Sequence, residues 1–202
     1  MNDHPLLLLL MIGAGVYVAY LWRSDCQAAQ AGRPNPGALP GTAPASRRML
    51  ILAASGALAL LALETWGEIR LGIASEQSRL TLFFALYTLS AAIVEEVIFR
   101  GYLVIRGRGT GMRWVGILAA SAVFALLHPF LWQWEEGFQL TLGLKGWFST
   151  GMIFLGSLWF YAVRFAGWNP AHSLLPCFVA HLTKNLGVIA IKAQQGFIDG
   201  WW

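Results

Sequence analysis

Six long apolar runs, separated by short polar stretches, dominate the pattern of residues along the chain. They cover residues 5–22, 49–66, 80–105, 113–132, 147–165 and 173–192. A helix of about 20 residues crosses the hydrocarbon core of a bilayer, and each run is close to that length. The pattern therefore predicts an all-α fold, a polytopic transmembrane bundle of about six helices that is surrounded by a lipid bilayer.

The first apolar run has two interpretations, a retained membrane helix or a cleaved signal peptide. A secretory signal begins with basic residues, whereas this chain begins Met1-Asn-Asp-His, so we predict a retained helix. The next stretch, residues 23–48, is rich in Pro, Gly and Ala, which is typical of a flexible linker. We therefore divide the chain into residues 1–48, a membrane helix with its linker, and residues 49–202, a membrane-embedded core.

Composition and charge support a membrane protein and indicate its orientation. Hydrophobic residues make up 57% of the chain and charged residues 12%, which is far from the composition of a soluble domain. The net charge of +4 does not predict a nucleic-acid partner, because the basic residues lie in loops between apolar runs. Alternate loops hold eight of them: Arg23, Arg33, Arg47, Arg48, Arg106, Arg108, Arg113 and Arg164. The positive-inside rule places these loops in the cytoplasm and both termini outside.

The third apolar run contains two adjacent carboxylates and a guanidinium, Glu95, Glu96 and Arg100. Ionisable groups are rare at membrane depth and usually face a bundle interior or a wet cavity. Glu96 and Arg100 are four residues apart and can pair on one helix face, while Glu95 is rotated by about 100°. Two carboxylates in different environments are typical of acid–base chemistry. The alternative is a structural ion pair that fixes helix packing.

Two later runs also carry polar side chains. His128 precedes Pro129, and proline disfavours helical geometry at the residue before it, so we expect a break there. His181 and Asn185 are four residues apart, and each side chain can donate a hydrogen bond. The alternative for this pair is polar contact between helices, which is common in membrane bundles.

Depth along the helices is a test of whether these groups meet. Glu95 and His181 lie about 15 Å and about 12 Å from the cytoplasmic ends of their runs, at 1.5 Å per residue. His128 is fifteen residues after Arg113, or about 22 Å. It fits the same site only if its helix begins nearer Gly116, or is tilted or kinked.

These residue types together suggest hydrolysis inside the membrane. Glu95 near His128 can bind a water molecule and deprotonate it as a general base. His181 and Asn185 can donate hydrogen bonds to the oxyanion that forms when this water attacks a peptide carbonyl. In this hypothesis Arg100 orients Glu96 and balances its charge.

The three motifs resemble those of a known family. Glu95-Glu96-x-x-x-Arg100, Phe124-x-x-x-His128 and His181-x-x-x-Asn185, in this order on successive apolar runs, are similar to the motifs of the CPBP intramembrane proteases. That family includes type II CAAX prenyl endopeptidases and the bacteriocin-processing and immunity (Abi) proteins. The resemblance covers about residues 80–192 and implies a glutamate-dependent endopeptidase that cleaves a membrane-associated protein or peptide. It implies six site residues: Glu95, Glu96, Arg100, His128, His181 and Asn185.

Several alternatives remain open at this point. The two glutamates and two histidines have the donor atoms of a zinc site, but the chain contains no HExxH motif, so we predict a metal-free site without a cofactor. A non-proteolytic immunity or scaffolding protein would use the same polar residues to hold helices together. A proton-coupled transporter is a third class, which the absence of a visible inverted repeat disfavours. Short loops, charge bias and the resemblance favour a bacterial inner membrane location.

Overall fold

Helices make up most of the structure, a computed structural model that describes residues 4–134 and 137–201. Within these residues the α-helices are α1 (Pro5–Gln30), α2 (Arg47–Leu71), α3 (Leu82–Glu96), α4 (Gly109–Leu127), α5 (Leu144–Phe165) and α6 (Leu175–Gln194). A π-helix, Val97–Tyr102, continues α3, and a short antiparallel hairpin of β1 (Trp132–Trp134) and β2 (Phe138–Leu140) joins α4 to α5. The predicted helical bundle is confirmed.

Membrane-spanning potential is clear for five of the six helices. The first five, with α3 taken together with its π-helix, are long and apolar enough to cross a bilayer. Helix α6 has 20 residues, but His181, Lys184 and Asn185 lower the apolar content of its central turns. The helix with the weakest membrane signal is thus the one that carries the last predicted motif.

Local signals at the helix ends explain where several helices begin and stop. The Thr81 side chain accepts a hydrogen bond from the Phe84 N–H at 3.2 Å and caps α3. Gly72 ends α2 in the left-handed conformation, with φ of 70°, where a side chain would add strain. Helix α4 ends at Leu127, earlier than the apolar run, because His128 before Pro129 is extended. The expected break at His128 is confirmed.

Packing places α5 and α6 near the centre of the bundle. Helix α6 contacts α2, α3 and α5, while α4 packs against α5 and α1 packs against α3. The backbones of α1 and α3 approach so closely that a Cβ added at Gly15 would lie 2.6 Å from the Ser90 Cβ. Helix α1 is therefore in direct contact with α3 of the core.

The linker predicted at residues 23–48 is shorter in the structure, because residues 23–30 continue α1 and α2 begins at Arg47, and residues 31–46 between them contact the bundle. The Trp22 indole donates to the Pro40 carbonyl at 3.2 Å, and the Asp25 carboxylate accepts from the Leu39 N–H at 2.9 Å. The Leu174 N–H then donates to the Gly41 carbonyl at 3.1 Å. Side chains of α1 and the backbone just before α6 hold this segment against the bundle. The division of the chain at residue 48 stays a prediction.

Candidate active site

The innermost part of the site is the ion pair that the spacing of Glu96 and Arg100 predicts. The Arg100 Nη1 lies 3.1 Å from the Glu96 Oε1, and both side chains are completely buried. Charges taken out of water in this way need close partners, because the desolvation penalty is several kcal/mol per ion. The structure supplies such partners from two further helices.

Serine side chains anchor the guanidinium from α5 and α4. The Arg100 Nη2 donates to the Ser157 Oγ at 2.6 Å and to the Ser157 carbonyl at 3.2 Å. The Ser157 Oγ lies 2.9 Å from the Ser121 Oγ. Hydrogen bonds to an ionised group are stronger than those between neutral groups, so the two serines fix the position of Arg100. Sequence analysis missed them, although both are polar residues in the middle of apolar runs.

Aromatic rings surround the same guanidinium. The Arg100 Cζ lies 4.6 Å from the ring centroid of Phe124, 4.9 Å from that of Tyr161 and 5.1 Å from that of Phe160. A desolvated cation over an aromatic face gains electrostatic stabilisation. Phe124 is part of a predicted motif, whereas Tyr161 and Phe160 of α5 were not identified from the sequence.

The π-helix that follows Glu96 leaves backbone carbonyls for side chains of α5. The Tyr161 hydroxyl donates to the Phe99 carbonyl at 2.6 Å, and the Arg164 Nε donates to the Arg100 carbonyl at 3.2 Å. Single π-turns within α-helices occur frequently at functional sites. No periodicity in the apolar run at residues 80–105 indicates this turn.

His181 lies between the two adjacent glutamates. Its Nδ1 is 2.8 Å from the Glu96 Oε1, and its Nε2 is 3.8 Å from the Glu95 Oε2. A carboxylate accepts hydrogen bonds, so the Nδ1 carries a proton and donates to Glu96. The Phe160 ring stacks on the imidazole with centroids 4.6 Å apart. The neighbouring Glu95 side chain is 31% exposed, so the two carboxylates do occupy different environments.

His128 reaches this region by folding back along α4. Its Nδ1 donates to the Phe124 carbonyl at 2.8 Å, so in the neutral ring the Nε2 is free to accept a hydrogen bond. The Phe124 ring contacts both imidazoles, with centroid distances of 4.8 Å to His128 and 6.1 Å to His181. Of the three conditions under which His128 would fit the site, a helix start nearer Gly116 is excluded, because α4 begins at Gly109.

Burial controls the protonation of His128. It lowers the pKa of this imidazole below its ordinary value, while the Phe124 carbonyl and the Glu95 carboxylate act in the opposite direction. His181 and Lys184 add to the lowering. The neutral ring is therefore favoured, which leaves its Nε2 as an acceptor.

Asn185 shares a face of α6 with His181, as the spacing predicts, but its side chain is hydrogen-bonded to the backbone of α3. Its Nδ2 donates to the Thr88 carbonyl at 3.0 Å. Thr88 lies seven residues before Glu95, or about 10 Å along α3. The amide nitrogen has two hydrogens, so this contact uses one donor and leaves the other.

The donor atoms considered for zinc do not form a ligand set. Across residues 4–134 and 137–201, no group of three or more His, Cys, Asp or Glu side chains is arranged to hold a metal ion. The Glu96 Oε1 is already shared by Arg100 and His181. The geometry thus pairs these side chains with one another.

Fold and site together define a class: an integral membrane protein, built as a helical bundle, with an acid–base cluster buried among its helices. The family model described as Type II CAAX prenyl endopeptidase Rce1-like matches residues 77–187, which is more than half of the 202 residues. The chain therefore belongs to the Rce1-like family of type II CAAX prenyl endopeptidases. This confirms the resemblance found in the three motifs and identifies, at family level, an intramembrane protease with a membrane-embedded peptide substrate.

The family match runs from just before α3 to the second half of α6 and includes all six predicted site residues. Helices α1 and α2 lie outside it. Neither a curated protein nor a solved structure gives a significant match to the chain.

Proposed function

We propose that the protein hydrolyses a peptide bond inside the membrane with a water molecule that Glu95 activates. The observation that carries this proposal is the difference between two adjacent carboxylates. Glu96 is fully buried and bound to Arg100, whereas Glu95 is 31% exposed and faces His181. A carboxylate without a fixed strong partner is available as a general base.

The proposed reaction begins with a water molecule between Glu95 and the Nε2 of His128. Glu95 takes a proton from this water while the water oxygen forms a bond to the carbonyl carbon of the substrate. The carbonyl becomes a tetrahedral oxyanion, and preorganised donors that face such an oxyanion lower the barrier. When the C–N bond breaks, Glu95 returns the proton to the leaving amine.

His181 and Asn185 are the proposed oxyanion donors. The Nδ1 of His181 is committed to Glu96, so the Nε2 is the ring atom that is left to face the substrate oxyanion. Asn185 contributes the amide hydrogen that the Thr88 carbonyl does not use. Glu96 and Arg100 have supporting roles, since they fix the orientation of His181.

The proposed site works without a cofactor. The arrangement of the donor atoms supports this proposal, because within residues 4–134 and 137–201 no group of three or more His, Cys, Asp or Glu side chains is placed to hold a metal ion. The test is cleavage by purified protein after exhaustive chelation, together with a metal analysis of the same sample. Cleavage that persists at a metal content far below one ion per chain is the expected result. Cleavage that disappears on chelation and returns with zinc would favour the zinc-dependent alternative.

The proposed substrate is a membrane-associated protein or peptide, and the proposed location is the bacterial inner membrane. The membrane-spanning helices and the excess of arginine in alternate loops support this location. The test compares peptide termini in the membrane proteome of three strains: wild type, a deletion, and the deletion complemented with Glu95→Gln. We expect one set of termini to be missing from both mutant strains. Unchanged termini, with the protein and its targets present, would instead favour a non-proteolytic membrane protein.

A further inference from the structure

A second buried ion pair lies beside the candidate active site and joins α2 to α6. The Lys184 Nζ is 2.9 Å from the Glu64 Oε2, and the two side chains are only 6% and 15% exposed. This contact has the distance of an ion pair without the geometry of a hydrogen bond. The contact between the Lys184 ammonium and the Glu64 carboxylate is therefore electrostatic and is not a directional hydrogen bond.

Lys184 is close to the residues that perform the proposed chemistry. It follows His181 by three residues on α6, so the two side chains are neighbours on the helix surface. The charge of Lys184 helps to lower the pKa of His128, whereas that of Glu95 raises it. A cation thus lies at the edge of a cluster in which Glu95 is the more exposed carboxylate.

Glu95 and Glu96 differ in their access to a cation. Glu96 is paired with Arg100 at 3.1 Å, whereas the ion-pair contact recorded for Glu95 in the described part of the chain is with His181 at 3.8 Å. A buried ammonium without a partner is costly and moves towards a nearby carboxylate when one is within reach. If Glu64 were neutral, Glu95 would be the carboxylate of the site without a guanidinium partner, and Glu95 and Lys184 both act on the same His128 imidazole.

We propose that Glu64 is a positioning residue of the active site, which holds the Lys184 ammonium against α2 and keeps it away from Glu95. This inference rests on the proposed function of Glu95 as the base. An ammonium bound to Glu95 would stabilise the ionised carboxylate and make it a weaker base. It would also occupy the place of the attacking water. Helix α2, outside the family match, thereby contributes to the chemistry of this chain.

The same helix offers a matched control. Glu68 lies one turn after Glu64 on α2 and pairs with Lys145 at the start of α5. It also accepts a hydrogen bond from the Gln77 side chain at 2.7 Å. Like Glu64 it is a largely buried carboxylate paired with a lysine, and its polar partners among the described residues, Lys145 and Gln77, are not site residues. Glu68→Gln therefore reproduces the loss of a buried α2 carboxylate without freeing Lys184.

The experiment measures kcat and KM per folded full-length protein in detergent for Glu64→Gln, Lys184→Met, the double variant and Glu68→Gln. The probe is a quenched fluorescent peptide that spans the cleavage site found by the comparison of termini. We expect Glu64→Gln to lose kcat by about tenfold or more, with KM little changed, since general-base catalysis contributes 10²- to 10⁴-fold. Lys184→Met, the double variant and Glu68→Gln should stay within about threefold of wild type.

Two results are decisive. The loss of kcat is large in Glu64→Gln but small in Lys184→Met, and kcat recovers in the double variant. A merely structural pair would make Glu64→Gln and Lys184→Met equally harmful, because each leaves one buried charge unpaired. Equal losses of kcat, a Glu68→Gln variant as weak as Glu64→Gln, or an unchanged Glu64→Gln would overturn the proposal. If wild type itself does not cleave the peptide, the proposed function fails, and this inference fails with it.

Discussion

The two halves of the polar cluster differ in how firmly the protein holds them. On the inner side, Glu96, Arg100, Ser157 and Ser121 are all fully buried and linked by hydrogen bonds across three helices. On the outer side, Glu95 is partly exposed, and its contact with His181 is long at 3.8 Å. Glu96 therefore belongs to a firmly held inner half of the cluster, and its neighbour Glu95 belongs to a more loosely held outer half.

This difference shows how one helix can serve both stability and chemistry. A buried hydrogen-bonded network rigidifies its surroundings. Here the network holds His181 through the Glu96 Oε1, although the Glu96 Oε2 and the Arg100 Nε make no hydrogen bond within the described part of the chain. A reacting carboxylate needs the opposite conditions, since it must exchange protons and approach a substrate. The comparison predicts that changes on the outer edge affect mainly cleavage and that changes in the inner support affect mainly folding.

The largest expected effect is the loss of cleavage in Glu95→Gln. The change removes the proposed base but keeps the size of the side chain, so we expect kcat/KM to fall by about 10³-fold and the thermal midpoint to stay near that of wild type. Cleavage and thermal unfolding of the purified protein measure the two effects. A Glu95→Gln protein that retains most of its activity would show that the base lies elsewhere.

Arg100→Met tests whether the inner half of the cluster stabilises the fold. Removing one partner of a buried ion pair leaves the other charge uncompensated, which costs about 3–5 kcal/mol. We expect a low folded yield and a much lower thermal midpoint, measured in the same detergent as wild type. A normal yield with normal stability would mean that Glu96 finds another partner, and the contrast between the two halves would then be lost.

Sequence patterns were sufficient for the helices and for pairs along one helix. The four-residue spacing of Glu96 and Arg100 predicted their ion pair, and Pro129 predicted the end of α4. Both are local effects, which depend on backbone geometry within one turn. The lengths of the apolar runs predicted the helical bundle, because about 20 helical residues cross a bilayer.

Sequence patterns did not predict the contacts between helices. The position of Ser157 beside Arg100 and that of Lys184 beside Glu64 depend on which helix faces meet, and spacing along the chain does not determine this. The segment at residues 31–46 has a composition typical of linkers, yet Trp22 and Asp25 fix it through two hydrogen bonds. A π-helix after Glu96 likewise has no signature in the apolar run.

A smaller effect separates the two serines of the inner half. Ser157→Ala removes a hydrogen bond to a charged donor at 2.6 Å, which is worth about 1.5–3 kcal/mol. Ser121→Ala removes a bond between neutral hydroxyls at 2.9 Å, worth about 0.5–1.5 kcal/mol. Thermal or denaturant unfolding should therefore rank Ser157→Ala as the less stable variant. The reverse order would show that Ser121 has contacts with Arg100 through a route other than Ser157.

The smallest effect is a pH dependence of stability that comes from His128 on the outer edge. Burial lowers the pKa of His128 in the folded protein, so below the ordinary value of about 6.5 the unfolded chain binds more protons than the folded one. By linkage, folding stability is then lost as the pH falls below this value. Thermal midpoints of wild type and His128→Gln measured from pH 7.5 to 5 test this, and the wild-type curve should fall more steeply on the acid side. Parallel curves would mean that His128 is equally easy to protonate in both states, and the buried, neutral acceptor assigned to it beside Glu95 would then be wrong.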